Sequence, residues 1–343
     1  MNNKSVIKAF LFPTLLHITA VAVLVGILKE KGYGLGYHSF LGMVFIIIGG
    51  VSSAFWGVFY QIKYIGKKPL CIIKDFFKIK QPFKTYAMAI VFLIIDFCSV
   101  AISKGFKIEN VWIPIALFFK AILFGGIEEI GWRYSFQPCL EKKLSYIVAT
   151  MMTFVCWGVW HFLFFFIDGS IVTVDVLNFS LGLFTNCFIL SALFAYSNSL
   201  WICVMTHALM NTLSQITFHD NVIIGNASKV ICIVAAILLV HATKKVKFAE
   251  TYPNREFVQT VSAQIPWSHN IAIIEKVKDP EQRIWYIQKT AENGWSHNVL
   301  IHQIESGLYQ RQMLVDKVSN FESRLPSPQS ELAAQTMKDP YVF

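Results

Sequence analysis

The stretch VWIPIALFFKAILFGGIEEIGWRYSFQ, residues 111 to 137, is apolar through Phe124 apart from Lys120, and then places GGIEEIGWRY at 125 to 134. A membrane-crossing helix needs about 20 mainly apolar residues, so this run predicts a span that projects beyond the bilayer. Charged side chains at such depth are rare, turn toward the protein interior or a wet cavity, and mark function. Successive residues of an α-helix turn by about 100°, which puts Glu129 and Arg133 on nearly one face, where they can neutralise each other as a structural ion pair. Glu128 points roughly 100° away, without the arginine as its partner. One carboxylate is thus accounted for structurally and the other is left for chemistry. Gly125 and Gly126 just before allow a neighbouring backbone to come close.

The rest of the chain has the same character up to about residue 247. Of 343 residues, 55% are hydrophobic and 15% charged, against about 25% charged in soluble domains. Eight apolar runs, near 9–28, 40–60, 85–102, 111–137, 145–167, 177–196, 199–218 and 222–242, predict an all-α, polytopic membrane helix bundle of about eight transmembrane helices. After it comes a polar helical tail. The predicted domains are 1–247, transmembrane, and 248–343, soluble.

The net charge of +9 is no nucleic-acid footprint. The tail holds nine Lys and Arg against eleven Asp and Glu, so the basic excess lies in the loops of the membrane part. Lys63, Lys67, Lys68, Lys74, Lys78, Lys80 and Lys84 crowd one loop, and the positive-inside rule assigns that loop to the cytoplasm, together with both termini and the tail. Cysteines at 71, 98, 139, 156, 187, 203 and 232 are odd in number and irregularly spaced, which argues for free thiols. The first apolar run follows Lys4 and Lys8 without a small-residue cleavage site and reads as a spanning helix, not a signal.

Two further helices carry isolated polar groups. In FVCWGVWHFLFFF, residues 154–166, His161 is the only ionisable side chain of its span's core. Counted from the turn near Lys142 to Leu144, Glu128 lies about 15 residues before it and His161 about 17 after, so an antiparallel hairpin sets them at similar heights. A carboxylate beside an imidazole in an apolar site suits activation of water by general-base catalysis, and suits metal binding equally. In CVMTHALMNTL, residues 203–213, His207 and Asn211 are i,i+4 and can donate hydrogen bonds to a developing oxyanion. Each group alone also reads as polar glue between helices. Asp96 and Lys120 read as structural or lipid-facing charges.

Together these residues match a family. EEIGWR fits the E-E-x-x-x-R motif of the type II CAAX prenyl endopeptidase-like intramembrane proteases, the CPBP (CAAX protease and bacteriocin-processing) family. WGVWH resembles its F-x-x-x-H motif with Trp157 in place of phenylalanine, and HALMN resembles its third motif, a histidine followed four residues later by asparagine. The resemblance covers residues 1 to about 245 and implies hydrolysis of peptide bonds in the membrane of a bacterial cell, with a membrane-associated peptide or protein as substrate. It implies Glu128 as the base, His161 assisting, Glu129 and Arg133 supporting, and His207 with Asn211 as the oxyanion site. Zinc is allowed but not demanded, since no H-E-x-x-H occurs; Glu128, His161 and His207 would be its ligands. A catalytically silent relative acting in bacteriocin self-immunity or as a scaffold fits the same resemblance. A transporter with a proton relay fits less well, because the spans show no inverted repeat.

The tail predicts short capped helices. Asp279, Pro280 and Gly294 mark the ends of one of them. The triplet WSH occurs at 267–269 and at 295–297, and in each copy the serine is placed to cap the following helix and the tryptophan to staple onto it. Residues 255–311 resemble the N-terminal helical domain of the YhcG-like, PDDEXK-type nucleases. No acidic/lysine nuclease core is present, so no nuclease activity is expected. Near-neutral charge favours protein contacts over phosphate binding.

Overall fold

The computed structural model describes residues 6–218, 220–251 and 262–317. Among them there is no β-strand, only an isolated bridge between Phe106 and Thr217. The chain divides into two compact units, Met1–Thr243 and Lys244–Phe343.

The first unit is a helix bundle. Its elements are α1 (Ile7–Glu30), α2 (Phe40–Lys63), α3 (Pro69–Phe76), α4 (Phe83–Asp96), α5 (Trp112–Phe124), α6 (Tyr146–Asp168), α7 (Val176–Ser197), α8 (Leu200–Gln215) and α9 (Val222–Thr251). Helix α6 packs on α1 and α7, and α8 packs on α5 and α7. Small polar residues set the ends. Ser145, Asp175 and Ser199 cap α6, α7 and α8 through their side-chain oxygens, while Gly169 and Asn198 close α6 and α7 in the left-handed conformation.

Five helices are long and apolar enough to cross a membrane: α1, α2, α6, α7 and Val222–Val246 of α9. The expected count of about eight spans is not confirmed: three of the eight apolar runs do not form a single helix of that length among the described residues. The run 85–102 breaks at Asp96, whose carbonyl receives the Ser228 hydroxyl, and resumes as the short helix Cys98–Ile102. Helix α8 has 16 residues.

The run 111–137 is also not one long helix. After α5 it passes through a 3-10 turn (Gly126–Glu128), one α-turn (Glu129–Gly131), a π-turn (Trp132–Phe136) and a last α-turn (Gln137–Leu140). Pro138 cannot donate to the carbonyl of Tyr134, and Gln61 Nε2 donates to that carbonyl instead at 2.7 Å. The irregular backbone is tolerated at depth because neighbouring helices bury it. Helix α2 crosses it closely: a Cβ on Gly57 would lie 2.8 Å from the Gly131 Cα. Helix α3 is fastened to the same segment by a salt bridge of 3.1 Å from Lys67 to Asp75, both bonded to the Tyr134 hydroxyl.

Of the other charges in this unit, Lys120 is exposed on the surface of the bundle. Asp96 lines a polar cavity of about 210 Å³ with Asn186, Asp220 and Lys229.

In the second unit, α10 (Trp267–Lys276), α11 (Pro280–Asn293), α12 (His297–Glu305) and α13 (Leu308–Lys317) surround a core of Ile273, Val277, Tyr286, Ile287, Leu300 and Leu308. Asp279 caps α11 and Gly294 closes it at φ 60°. Ser296 caps α12, but Ser268 does not cap α10. Pro266 starts α10 at Trp267, which places Ser268 inside the first turn, so the expectation of matching caps holds for one copy only. What the triplets share is a meeting point. The rings of His269 and His297 lie 5.6 Å apart, and His269 Nε2 bonds the Trp295 carbonyl.

Burial first, then the charges of His269 and Lys276, hold the His297 imidazole below its ordinary value. A lowered histidine stabilises the fold above its unfolded value of about 6.5 and loses that contribution as the pH falls. Protection of the amides across 267–305, relative to their intrinsic exchange rates, should therefore fall on acidification toward about pH 5. His297→Gln should remove that loss of protection.

Candidate active site

The four elements described above deliver the polar groups to one buried place. Glu128 and Glu129 come from the 3-10 to α junction, Arg133 from the π-turn, Trp157 and His161 from α6, and His207 and Asn211 from α8. Glu128 is 4% exposed, Glu129 and Arg133 are 0%, and His207 is 3%.

The two adjacent carboxylates take different partners. Glu129 Oε1 accepts from Arg133 Nη1 at 3.1 Å and meets His207 Nδ1 at 2.8 Å. Arg133 Nη2 reaches Cys187 Sγ at 3.4 Å, and the guanidinium lies 4.0 Å from the centre of the Trp157 ring. Glu128 Oε2 accepts from Trp157 Nε1 at 2.8 Å and stands 3.8 Å from His161 Nε2. The site is thus two acid–histidine pairs, Glu128 with His161 and Glu129 with His207.

The second pair fixes a proton. A carboxylate ion-paired to Arg133 can only accept, so a neutral His207 must carry its proton on Nδ1 and leave Nε2 bare. That nitrogen faces Gly125, where a Cβ would lie 3.5 Å from His207 Nε2 and 2.4 Å from Asn211 Nδ2. Glycine at 125 lets the imidazole and the carboxamide converge beside the chain just ahead of Glu128. His161 Nδ1 has no hydrogen-bond partner among the described residues. Its ring is walled by Trp157, Trp160, Phe165 and Phe179, all within 5.8 Å.

Among the described residues, no three of His, Cys, Asp and Glu are grouped so as to hold a metal ion. One Glu129 oxygen is already engaged by Arg133 and His207, and one Glu128 oxygen by an indole N–H.

The polar segment, the histidine four residues after an aromatic, and the His–Asn pair thus lie together in the order that the chain supplies them. Residues 110–213 match the family model "Type II CAAX prenyl endopeptidase Rce1-like". This endopeptidase-like region contains every residue of the site. The chain is also similar to CAAX prenyl protease 2 of Methanococcus maripaludis, 29% identical over 118 residues, which are 34% of this chain and 41% of that protein. Residues 242–311 match a second model, the DUF1016 N-terminal domain. A further relative is the putative nuclease YhcG of Escherichia coli, 30% identical over 96 residues, 27% of this chain and 25% of that protein. The chain therefore spans less than half the length of either curated relative.

Two features of the site escape a reading by sequence alone. Trp157, marked in the sequence only as standing in place of a phenylalanine, touches both carboxylate systems. Cys187 on α7 lies against Arg133. The signal for Trp157 is an N–H donor one helical turn before His161, on the same face.

Proposed function

We propose that the first unit is an intramembrane endopeptidase of the CAAX type, in which Glu128 takes a proton from water as the water attacks a peptide carbonyl. The observation that carries this reading is the buried Glu128 Oε2, held at 2.8 Å by an indole N–H and 3.8 Å from His161 Nε2. A carboxylate so placed is a general base, and His161 is in reach to share the proton and return it to the leaving amine. Asn211 Nδ2 supplies a donor for the oxyanion, and His207 adds a second when it carries protons on both ring nitrogens. Glu129 and Arg133 hold His207 in place.

An apolar cavity of about 360 Å³, lined by Val58, Ile72, Phe76, Leu123 and the two isoleucines that flank the glutamates in sequence, Ile127 and Ile130, supports a substrate with an apolar appendage. Lysine placement supports an orientation with the 63–84 loop and both termini on the cytoplasmic side of the membrane. For the second unit, near-neutral charge supports protein docking.

The test is cleavage by the purified full chain of two internally quenched peptides, one farnesylated with a CAAX-type end and one an unprenylated leader-like peptide, with fragments identified by mass. A new fragment from either is expected, and none from both overturns the reading. Gly125→Ala probes the oxyanion donor. The new methyl displaces the flexible Asn211 amide and asks the Ala121 carbonyl, 3.2 Å away, to give by only a few tenths of an ångström, so folding should persist. Turnover should fall toward the loss of about 10²–10³ seen when one oxyanion donor is removed. Unchanged turnover would exclude Asn211 from that role.

A further inference from the structure

We propose that Trp157 is a positioning residue that holds the Glu128 carboxylate toward His161 and away from Arg133, a role that rests on the reading of Glu128 as the base. One indole, 1% exposed, touches four of the site's ionisable groups, Glu128, Arg133, His161 and His207. Its Nε1 donates to Glu128 Oε2 at 2.8 Å. Its face carries the Arg133 guanidinium at 4.0 Å, and its ring lies 5.1 Å from His161 and 5.4 Å from His207.

The chemistry explains why such a divider is needed. Two neighbouring carboxylates share one guanidinium, and a Glu128 that turned onto Arg133 would be lost as a base and would displace Glu129 from His207. The indole separates the claims by geometry, with the cation on its face and the carboxylate on its edge. That bond is the only hydrogen bond the Glu128 carboxylate makes among the described residues. Trp157 and His161 are one turn apart on α6, so a single helix face presents both the N–H and the imidazole to the same oxygen. Phenylalanine at 157 would keep the ring and its face for Arg133 but offer no edge donor.

The test needs no substrate. The full chain in detergent is treated with dicyclohexylcarbodiimide, which adds to carboxyl groups in apolar surroundings, and the modified residues are located by peptide mass. Trp157→Phe should raise the rate at Glu128 by about tenfold, the weight of one hydrogen bond to a charged group, and leave Glu129 unchanged. Equal rates at Glu128 in both proteins overturn the proposal. If Trp157→Phe fails to fold, both glutamates become reactive together, and a second measurement decides with the tryptophan in place. The chain has nine tryptophans. The indole N–H resonance missing from the labelled Trp157→Phe sample marks Trp157 where that variant folds. Where it does not, the one resonance displaced by Glu128→Gln but not by Glu129→Gln marks it. No resonance displaced by Glu128→Gln overturns the contact.

Peptide cleavage then separates this role from the endopeptidase reading. In an active enzyme Trp157→Phe should lower kcat about tenfold with KM unchanged, and an unchanged kcat overturns positioning. Failure to cleave any peptide, with the labelling and resonance changes present, refutes the protease and leaves the holding contact established.

Discussion

If the proposed function holds, replacing Glu128 by glutamine should nearly abolish peptide hydrolysis and leave the bundle folded. The amide oxygen of glutamine can still accept the Trp157 N–H that the carboxylate accepts at 2.8 Å, so the packing around the site is kept. What disappears is a group able to take a proton from water. General-base assistance contributes about 10²–10⁴ in rate, and turnover should fall by that amount with KM almost unchanged, because no substrate contact has been removed. The comparison is made on purified wild type and Glu128→Gln with matching melting curves. Proteolysis that persists undiminished would show that another group is the base. The same substitution at Glu129 should behave differently, lowering stability along with activity, since Glu129 holds Arg133 and His207.

Arg133→Met should be the most destabilising single change in the site. The guanidinium is fully buried, and its loss strands the Glu129 carboxylate, also at 0% exposure, with only His207 beside it. Removing one partner of a buried pair costs about 3–5 kcal/mol. At about 2–4 °C per kcal/mol for a domain of this size, the melting temperature should drop by about 10 °C. Combining Arg133→Met with Glu129→Gln should recover part of that loss, because the stranded charge is gone. A double change as harmful as the sum of the single ones would mean that the two residues do not act as a pair. Cys187→Ala should matter far less, for its sulfur is a weak acceptor at 3.4 Å from Arg133 Nη2.

What the chain reveals before folding depends on how local the geometry is. The Glu129–Arg133 pair needs only the helical repeat, and it forms even though the repeat ends in a π-turn at Trp132. Glu128 and His161 need a hairpin and a residue count as well, and they end 3.8 Å apart. The breaks at Gly125 and at Pro138 are not legible in the same way. An apolar run looks alike whether its hydrogen-bond ladder is continuous or changes pitch, and that is why eight similar runs yield only five helices long and apolar enough to cross a membrane unbroken. The role of the tail's serines turned on the residue before each triplet: after Pro266 the helix begins at the tryptophan, two positions earlier than after Gly294, where it begins at the histidine. The partner of His207 was hidden by its own motif, which pointed to Asn211 on the same helix and not to a carboxylate 78 residues away.

The changing pitch between Gly126 and Leu140 makes the chain intolerant of length variation there. Each winding pattern advances the side chains by its own angle, so neighbouring acids land on different imidazoles only at the present spacing. One residue added upstream within α5, whose outer side is widely exposed, would merely rotate a greasy surface. One residue added between 126 and 136 would swing Glu129 out of line with Arg133 and offer the indole the wrong carboxylate. Insertions and deletions in homologous chains should therefore gather outside this window, at the loops that join the helices.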